Sequence, residues 1–299
     1  MIEFENVSKK FGSFTALDNF SLKIEKGSAY GLLGSNGAGK STLLRLLAGV
    51  YRQDRGRITI DGEPVWDNPA QKQRIFFVSD DTAQYQNMTL SEMKRFVRTF
   101  YPSYSEETFL RLWETIKLPT DTKLSAFSKG MKRQAAVICG LAACPEYLLL
   151  DEAFDGLDPT MRLIVKKMLV DAMVDRSTTV IISSHNLKEI EEFCDTVGLL
   201  HKGKAVFSRE LDGVKGNVHK VQTSFDFEPA AEDFPELEIM QIKNVGSVTS
   251  IIAKGGCEQI QAAVAKHNPK FCDILPLSLE EIFIYEMEAL GYDYSGIDR

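Results

Sequence analysis

The stretch Gly34-Ser35-Asn36-Gly37-Ala38-Gly39-Lys40-Ser41 limits this chain more than any other. It is a full match to the phosphate-binding pattern G-x-x-x-x-G-K-[ST]. An apolar run, Ala29 to Leu33, precedes it and reads as a buried strand, and a helical run, Thr42 to Ala48, follows. That strand–loop–helix context turns a pattern match into a structural expectation. The glycines let backbone N–H groups approach phosphate oxygens, with the positive end of a helix behind them. Lys40 is placed for the β- and γ-phosphates and the Ser41 hydroxyl for a magnesium ion, with Thr42 as a further hydroxyl. A glycine-rich turn with a chance lysine does not explain type, spacing and flanks together.

The length of 299 residues suggests one large or two ordinary domains. No apolar run approaches the roughly 18–20 residues that cross a bilayer. The start, Met-Ile-Glu-Phe-Glu, lacks the basic-then-apolar order of a signal peptide. The expectation is a chain kept in the cytosol, with any membrane role supplied by another subunit. A net charge of −7 gives no nucleic-acid footprint. Cys139, Cys144, Cys194, Cys257 and Cys272 form no C-x-x-C, so they read as small reduced hydrophobes rather than zinc ligands.

Ile2 to Val7 alternates apolar and polar, as a half-exposed strand does, and Phe20, Leu22 and Ile24 repeat the pattern. Phe11 lies between them and reads equally well as a base-stacking aromatic or a core residue at a strand end. Arg57 to Gly62 and Ile75 to Ser79 read as further strands. Residues of about 85–145 change character and read as a helical insert. Thr89-x-x-Glu92 is a capping box, Ser105 opens a second helix through Ile116, and a third begins near Ser128. Tyr147 to Leu150 then reads as a central strand buried on both faces, ending in Asp151 and Glu152, at the edge where open α/β sheets bind ligands. One carboxylate suits magnesium and the other a proton from attacking water. Asp158-Pro159 forms a good helix start by itself. Val180 to Ser183 is another buried strand, ending at His185, and Asn186-x-x-Glu189 reads as a capping box. A lone His there is ordinarily bland, but this one falls at the same sheet edge as the carboxylates. Thr196 to Ser208 reads as a hairpin turning at Lys202-Gly203.

In this order and spacing the pieces resemble the ATP-binding subunit of an ABC transporter, over residues 1 to about 212. The fold implied is α/β: a P-loop NTPase core with an antiparallel β flank and a helical insert. The resemblance makes Phe11 the adenine-stacking aromatic, Gly34 to Thr42 Walker A, and Leu148 to Asp151 Walker B. It makes Glu152 the catalytic glutamate, Gly156-Leu-Asp158 the D-loop, with Asp158 in the nucleotide-binding set, and His185 the switch histidine. Lys40, Glu152 and His185 are then the catalytic residues, and Ser41 and Asp151 hold magnesium. Ser128-Lys129-Gly130-Met131 stands in the place of the signature, usually LSGGQ, which meets the ATP of a second cassette. The implied cofactors are ATP and Mg2+. The implied partners are a second cassette and an integral membrane subunit, at the inner face of the cell membrane, without nucleic acid.

The chain departs from that pattern twice. Lys129 replaces a glycine and Met131 the glutamine of the signature; a lysine beside a γ-phosphate is electrostatically tolerable. Asp80 replaces the glutamine that follows the strand Phe77-Val-Ser. A carboxylate reaches magnesium through water but cannot donate as an amide does. Gln84 substitutes if the loop is longer here.

Residues 213–299 read as a small α+β appendage. Val218 to Phe225, Glu238 to Lys243, Ser247 to Lys254 and Phe271 to Leu275 look like strands, Glu258 to Lys266 looks helical, and Ser278-x-x-Glu281 caps a last helix, Leu279 to Leu290. Tyr292 and Tyr294 read as a frayed tail. The closing Ser-Leu-Glu-Glu-Ile-Phe is similar to the ends of bacterial drug- and peptide-export cassettes. The expectation is therefore an ATPase powering export. The alternatives are a non-transport ABC ATPase and a weakly hydrolysing regulatory cassette of a heterodimer. Phe96, Phe100, Tyr101 and Tyr104 are candidates for docking a membrane subunit, although an aromatic helix face is more often core.

Overall fold

The computed structural model describes residues 1–81, 85–216 and 218–289. Gln84, Leu290, Tyr292 and Tyr294 lie outside the described residues. The chain divides into two compact units, Met1–Ser208 and Arg209–Arg299.

In the first unit, β1 (Ile2–Phe11) and β2 (Phe14–Ile24) form an antiparallel hairpin, and β4 (Arg55–Ile60) and β5 (Glu63–Pro64) extend it into a four-stranded sheet ordered β2-β1-β4-β5. A second, six-stranded sheet runs β10-β9-β3-β8-β7-β6. Its strands are β3 (Ala29–Leu33), β6 (Ile75–Val78), β7 (Tyr147–Asp151), β8 (Thr179–Ser183), β9 (Thr196–His201) and β10 (Lys204–Glu210). The pairs β3–β8, β3–β9, β6–β7 and β7–β8 are all parallel. Every residue of β3, β7 and β8 is buried, which is why these strands read as unbroken apolar runs rather than alternations. Leu43, Leu44 and Leu47 of α1 (Lys40–Leu47) share one core with Ile2, Phe4 and Ile24 of the antiparallel sheet and with Leu32 and Leu149 of the parallel one. The phosphate-loop helix is thereby held from both sides.

Because the five parallel strands point the same way, their C-terminal ends deliver the loop after β3, Asp80 after β6, Glu152 after β7 and His185 after β8 to one edge. A short α2 (Pro69–Lys72) precedes β6, α8 (Leu211–Gly216) follows β10, and between β6 and β7 run α3 (Leu90–Phe100), α4 (Glu106–Ile116) and α5 (Lys129–Ala142). The Thr89–Glu92 capping box is made in both directions, at 3.2 and 2.8 Å. Asp158 accepts from the Met161 N–H at 2.9 Å and starts α6 (Pro159–Arg176).

At the opposite edge, Arg74 joins three segments. Its Nε and Nη2 donate to the two oxygens of Glu146 at 2.7 and 2.9 Å, and Nη2 also donates to Asp61 at 2.5 Å. The guanidinium lowers both carboxyls to about 2. Arg74→Met should cost about 1–2 kcal/mol at neutral pH, given the solvent around both acids. Both folded values lie below the ordinary ones of 3.8 and 4.5, so the contribution is complete above those values and lost as pH falls toward about 2. Urea melts at pH 7 and pH 3 check this: the penalty shrinks at the lower pH.

The second unit is built on a four-stranded antiparallel sheet ordered β12-β13-β11-β14, from β11 (Val218–Thr223), β12 (Glu238–Val245), β13 (Val248–Lys254) and β14 (Cys272–Pro276). One face carries α9 (Cys257–Ala265), with Ile260 and Val264 against Val221 and Ile251. Ser278 and Glu281 cap each other's backbone at the start of α10 (Leu279–Ala289), at 3.0 and 3.2 Å.

Candidate active site

Gly34 and the residues after it form the turn from β3 into α1. Gly34 has φ of 147°, and a Cβ there would lie 2.4 Å from the Leu200 carbonyl oxygen, so no other residue fits. Lys40 is buried, and its Nζ donates to the carbonyls of Gly34 and Ser35 at 2.6 and 3.3 Å, arching back over the loop. Burial lowers its pKa, opposed by Glu152 and then Asp151. Both carboxylates thus lie close to the ammonium.

Asp151 ends β7 beside Ser183 in the β8 register. Its Oδ1 accepts from Ser183 Oγ at 2.5 Å and from Ser41 Oγ at 3.1 Å. Its Oδ2 is buried with no partner among the described residues. Burial raises the Asp151 pKa against those two hydroxyls, and Asp80 adds to the rise. An acid held in this way, with one oxygen free and a hydroxyl alongside, fits a divalent cation. No group of three or more His, Cys, Asp or Glu gathers into a cage among the described residues. Magnesium does not need one, since it takes one or two protein ligands and completes its shell with phosphate oxygens and water.

Glu152 has φ of 52°, a left-handed backbone that is uncommon outside glycine. Its Oε2 lies 2.8 Å from His185 Nδ1 and accepts the His185 backbone N–H at 3.3 Å. The histidine is mostly exposed and the glutamate mostly shielded, so the pair faces the open side of the edge. The Asn186–Glu189 capping box is not formed. Asn186 does cap α7 (Leu187–Phe193), accepting from the Lys188 N–H, but Glu189 is taken by Ser184 Oγ at 2.8 Å and Arg162 at 3.2 Å.

These residues surround a cleft of about 380 Å³ lined by Asn36 to Thr42, Asp80, Glu152 and, from the β1–β2 hairpin, Phe14 and Ala16. None of Ser128, Lys129 or Gly130 lines it. Ser128 instead caps α5, accepting from the Met131 N–H at 3.2 Å. Gly130 is seated against the segment after β7, where a Cβ would come within 2.5 Å of the Gly156 carbonyl oxygen.

The description "ABC transporter" matches residues 17–155. Over 284 residues the chain is 32% identical to the ABC transporter ATP-binding protein YtrB of Bacillus subtilis, covering 95% of this chain and 97% of that one. The chain belongs to the ABC transporter ATP-binding family. It is also 32% identical to the lantibiotic transport ATP-binding protein SrtF of Streptococcus pyogenes, over 71% of this chain and 92% of that one. A solved ATP-binding subunit of an ABC transporter superposes with a TM-score of 0.66 at 25% identity, over 72% of this chain and 92% of that one. The protein is thus an ATPase subunit of the ABC transporter family.

Two of its departures from the ABC pattern have local partners. Lys129 Nζ donates to Asp155 at 2.5 Å, so its charge is met within the chain. Asp80 Oδ1 accepts from Arg45 Nη2 at 2.9 Å and from Ser79 Oγ at 3.1 Å. The carboxylate at the glutamine position is thus held by the phosphate-loop helix. Arg133 of α5, almost wholly buried, reaches the same turn and donates to the Ser79 carbonyl at 2.5 Å. Neither arginine was singled out from sequence, and neither carries a local signal.

Phe11 is 42% exposed and edge-on to Tyr51 at 5.3 Å, so it is not a core residue. Its cross-strand partner Phe14 is 57% exposed and is the aromatic that lines the cleft. Phe14, just past the Gly12-Ser13 turn, was not among the residues singled out from sequence. If Phe14 carries the base, Phe14→Ala weakens ATP binding about 5- to 100-fold, the worth of one stacked base. Titration of a fluorescent nucleotide against Phe11→Ala and Phe14→Ala compares the two positions.

Proposed function

We propose that two of these cassettes close on two ATP molecules and power export of a drug-like or peptide substrate through a separate membrane subunit. The observation that carries the dimer is the composition of the cleft: it has a P-loop, Asp151 and Glu152 within reach, but no signature residue. The α5 N-terminus, with Ser128 as its cap, supplies a hydroxyl and a positive dipole end that only a second copy's γ-phosphate can use. Lys40 neutralises phosphate charge. Ser41 and Asp151 would hold magnesium, which would supply charge neutralisation at the phosphates, and Asp80 would bear on it through water. Glu152, oriented by His185, takes the proton of the attacking water. Asp158 serves the dimer contact by starting α6.

Residues 1–212 act as the nucleotide-binding domain and 213–299 as an accessory domain that stabilises the dimer. No described helix is long and apolar enough to cross a membrane. A groove of about 270 Å³ lined by Val50, Tyr85, Phe96, Phe100 and Tyr101 suits a helical segment of the membrane subunit. Phe96 and Phe100 are 42% and 54% exposed there, while Tyr101 is tied inward to the Ile75 carbonyl. Tyr104 is also turned inward, its hydroxyl buried, and is not part of this surface. The protein then works in the cytoplasm at the inner face of the membrane. The lantibiotic transport named for SrtF supports an amphiphilic peptide or drug as cargo.

A pull-down of the tagged chain from its native membranes in mild detergent tests this. Recovery of a multi-spanning protein with the cassette supports the reading. Recovery of ribosomes or DNA-repair proteins without a membrane protein overturns it.

A further inference from the structure

We propose that a pocket between α4, α5 and α6 binds a small amphiphilic monoanion, an organic carboxylate with a short apolar body. The pocket has a volume of about 290 Å³. It lies away from the nucleotide cleft: α6 begins at Pro159 beside the catalytic edge and ends at Arg176, where the chain turns back into β8. The pocket reaches that far end.

Its rim is charged and unneutralised. Arg111 of α4 and Lys167, Asp171 and Arg176 of α6 all line it. Among the described residues none of the four makes an ion pair; the nearby pairs of Lys166 and Arg162 go to Glu192 and Glu189 instead. Three cations and one acid leave an excess of two positive charges around one mouth. The Arg176 Nε–H is buried and has no acceptor among the described residues. A buried donor without a partner is costly, and an anionic oxygen satisfies it with a charge-assisted bond. The floor is apolar, with Leu112 and Met168 both buried.

These features select the ligand class. The cations call for an acidic head, and Asp171 in the same rim disfavours a dianion relative to a monoanion. The apolar floor calls for a short hydrocarbon body, which a fully solvated inorganic ion does not have. Because the pocket joins the helix that carries Ser128 to the helix that follows the carboxylates, an occupant braces α5 against α6.

The test uses octanoate, because a phosphate ester would also enter the P-loop. Calorimetry on the full chain, held with saturating MgADP, should give a Kd in the roughly millimolar range for a ligand of this size. Lys167 is exposed, so Lys167→Gln leaves the fold and the basal ATPase rate unchanged. It and Arg176→Gln should each weaken octanoate by at least about tenfold. Octylamine, with the same body and the opposite charge, should not bind. Absence of octanoate binding overturns the proposal, as does equal binding of octylamine or an affinity that neither substitution changes.

Discussion

Glu152→Gln abolishes turnover while leaving ATP binding intact. The expected fall in steady-state phosphate release is about 10²–10⁴-fold, the usual worth of a positioned general base. Glutamine keeps the shape of the side chain and can still accept the His185 backbone N–H, which Glu152 Oε2 receives at 3.3 Å. What is lost is the negative charge and the capacity to take a proton. The groups that hold phosphate are untouched: Lys40 is anchored by the carbonyls of Gly34 and Ser35, and Ser41 by Asp151. ATP therefore still closes two cassettes, and without hydrolysis they do not separate. Size-exclusion chromatography with and without MgATP should show a dimer for the variant where the parent chain elutes as a monomer. Turnover equal to that of the parent would remove Glu152 from the base role, and the dimer peak would then have to be explained by another residue.

Much of this architecture was legible because its chemistry is short-range. Thr89 and Glu92, like Ser278 and Glu281, are three residues apart, and nothing distant competes for them. Asn186 and Glu189 carry the same spacing, but the neighbouring Ser184 takes both the Asn186 N–H and the glutamate, and Arg162 from α6 pairs with the glutamate as well. A capping pattern is a local offer that tertiary contacts can outbid. The same difference applies at the site. Asp151, Glu152 and His185 sit at or just past strand ends, and the phosphate loop that carries Lys40 and Ser41 leaves the end of β3; parallel strands bring their C-terminal ends to one edge whatever the loops do. Arg45 and Arg133 converge on the turn after β6 from α1 and α5, at sequence separations of 35 and 54 residues. Each arginine lies on a helix that mixes buried and exposed polar residues, with Lys40 buried on α1 and Gln134 on α5, so periodicity does not distinguish it. Phe14 was overlooked for a related reason. Phe11 and Phe14 flank one turn, and only the hairpin's placement over the cleft shows which ring faces it.

Asp151→Asn separates folding from function in opposite directions. The Asp151 carboxylate is fully buried, its Oδ2 has no partner among the described residues, and burial dominates the hydroxyl bonds from Ser183 and Ser41 in raising its pKa. The ionised acid is thus a net burden on the free protein, as a buried charge without a counterion is. A neutral amide keeps the acceptor for Ser41 and Ser183 and removes the charge. The nucleotide-free variant should melt about 2–4 °C higher, corresponding to about 1 kcal/mol for a unit of this size. If Asp151 holds magnesium, as proposed, the ion would reverse the ranking, because it needs the charge that the amide lacks. Turnover should fall by about 100-fold or more. The stabilisation that saturating MgATP confers on the parent, about 2.7 kcal/mol at 100 times Kd, should largely disappear. Melting curves with and without MgATP read both effects in one experiment. A variant that melts lower without nucleotide would mean that Asp151 stabilises the fold through its hydroxyl bonds. One that keeps the full MgATP shift would mean that the magnesium ligand is another residue.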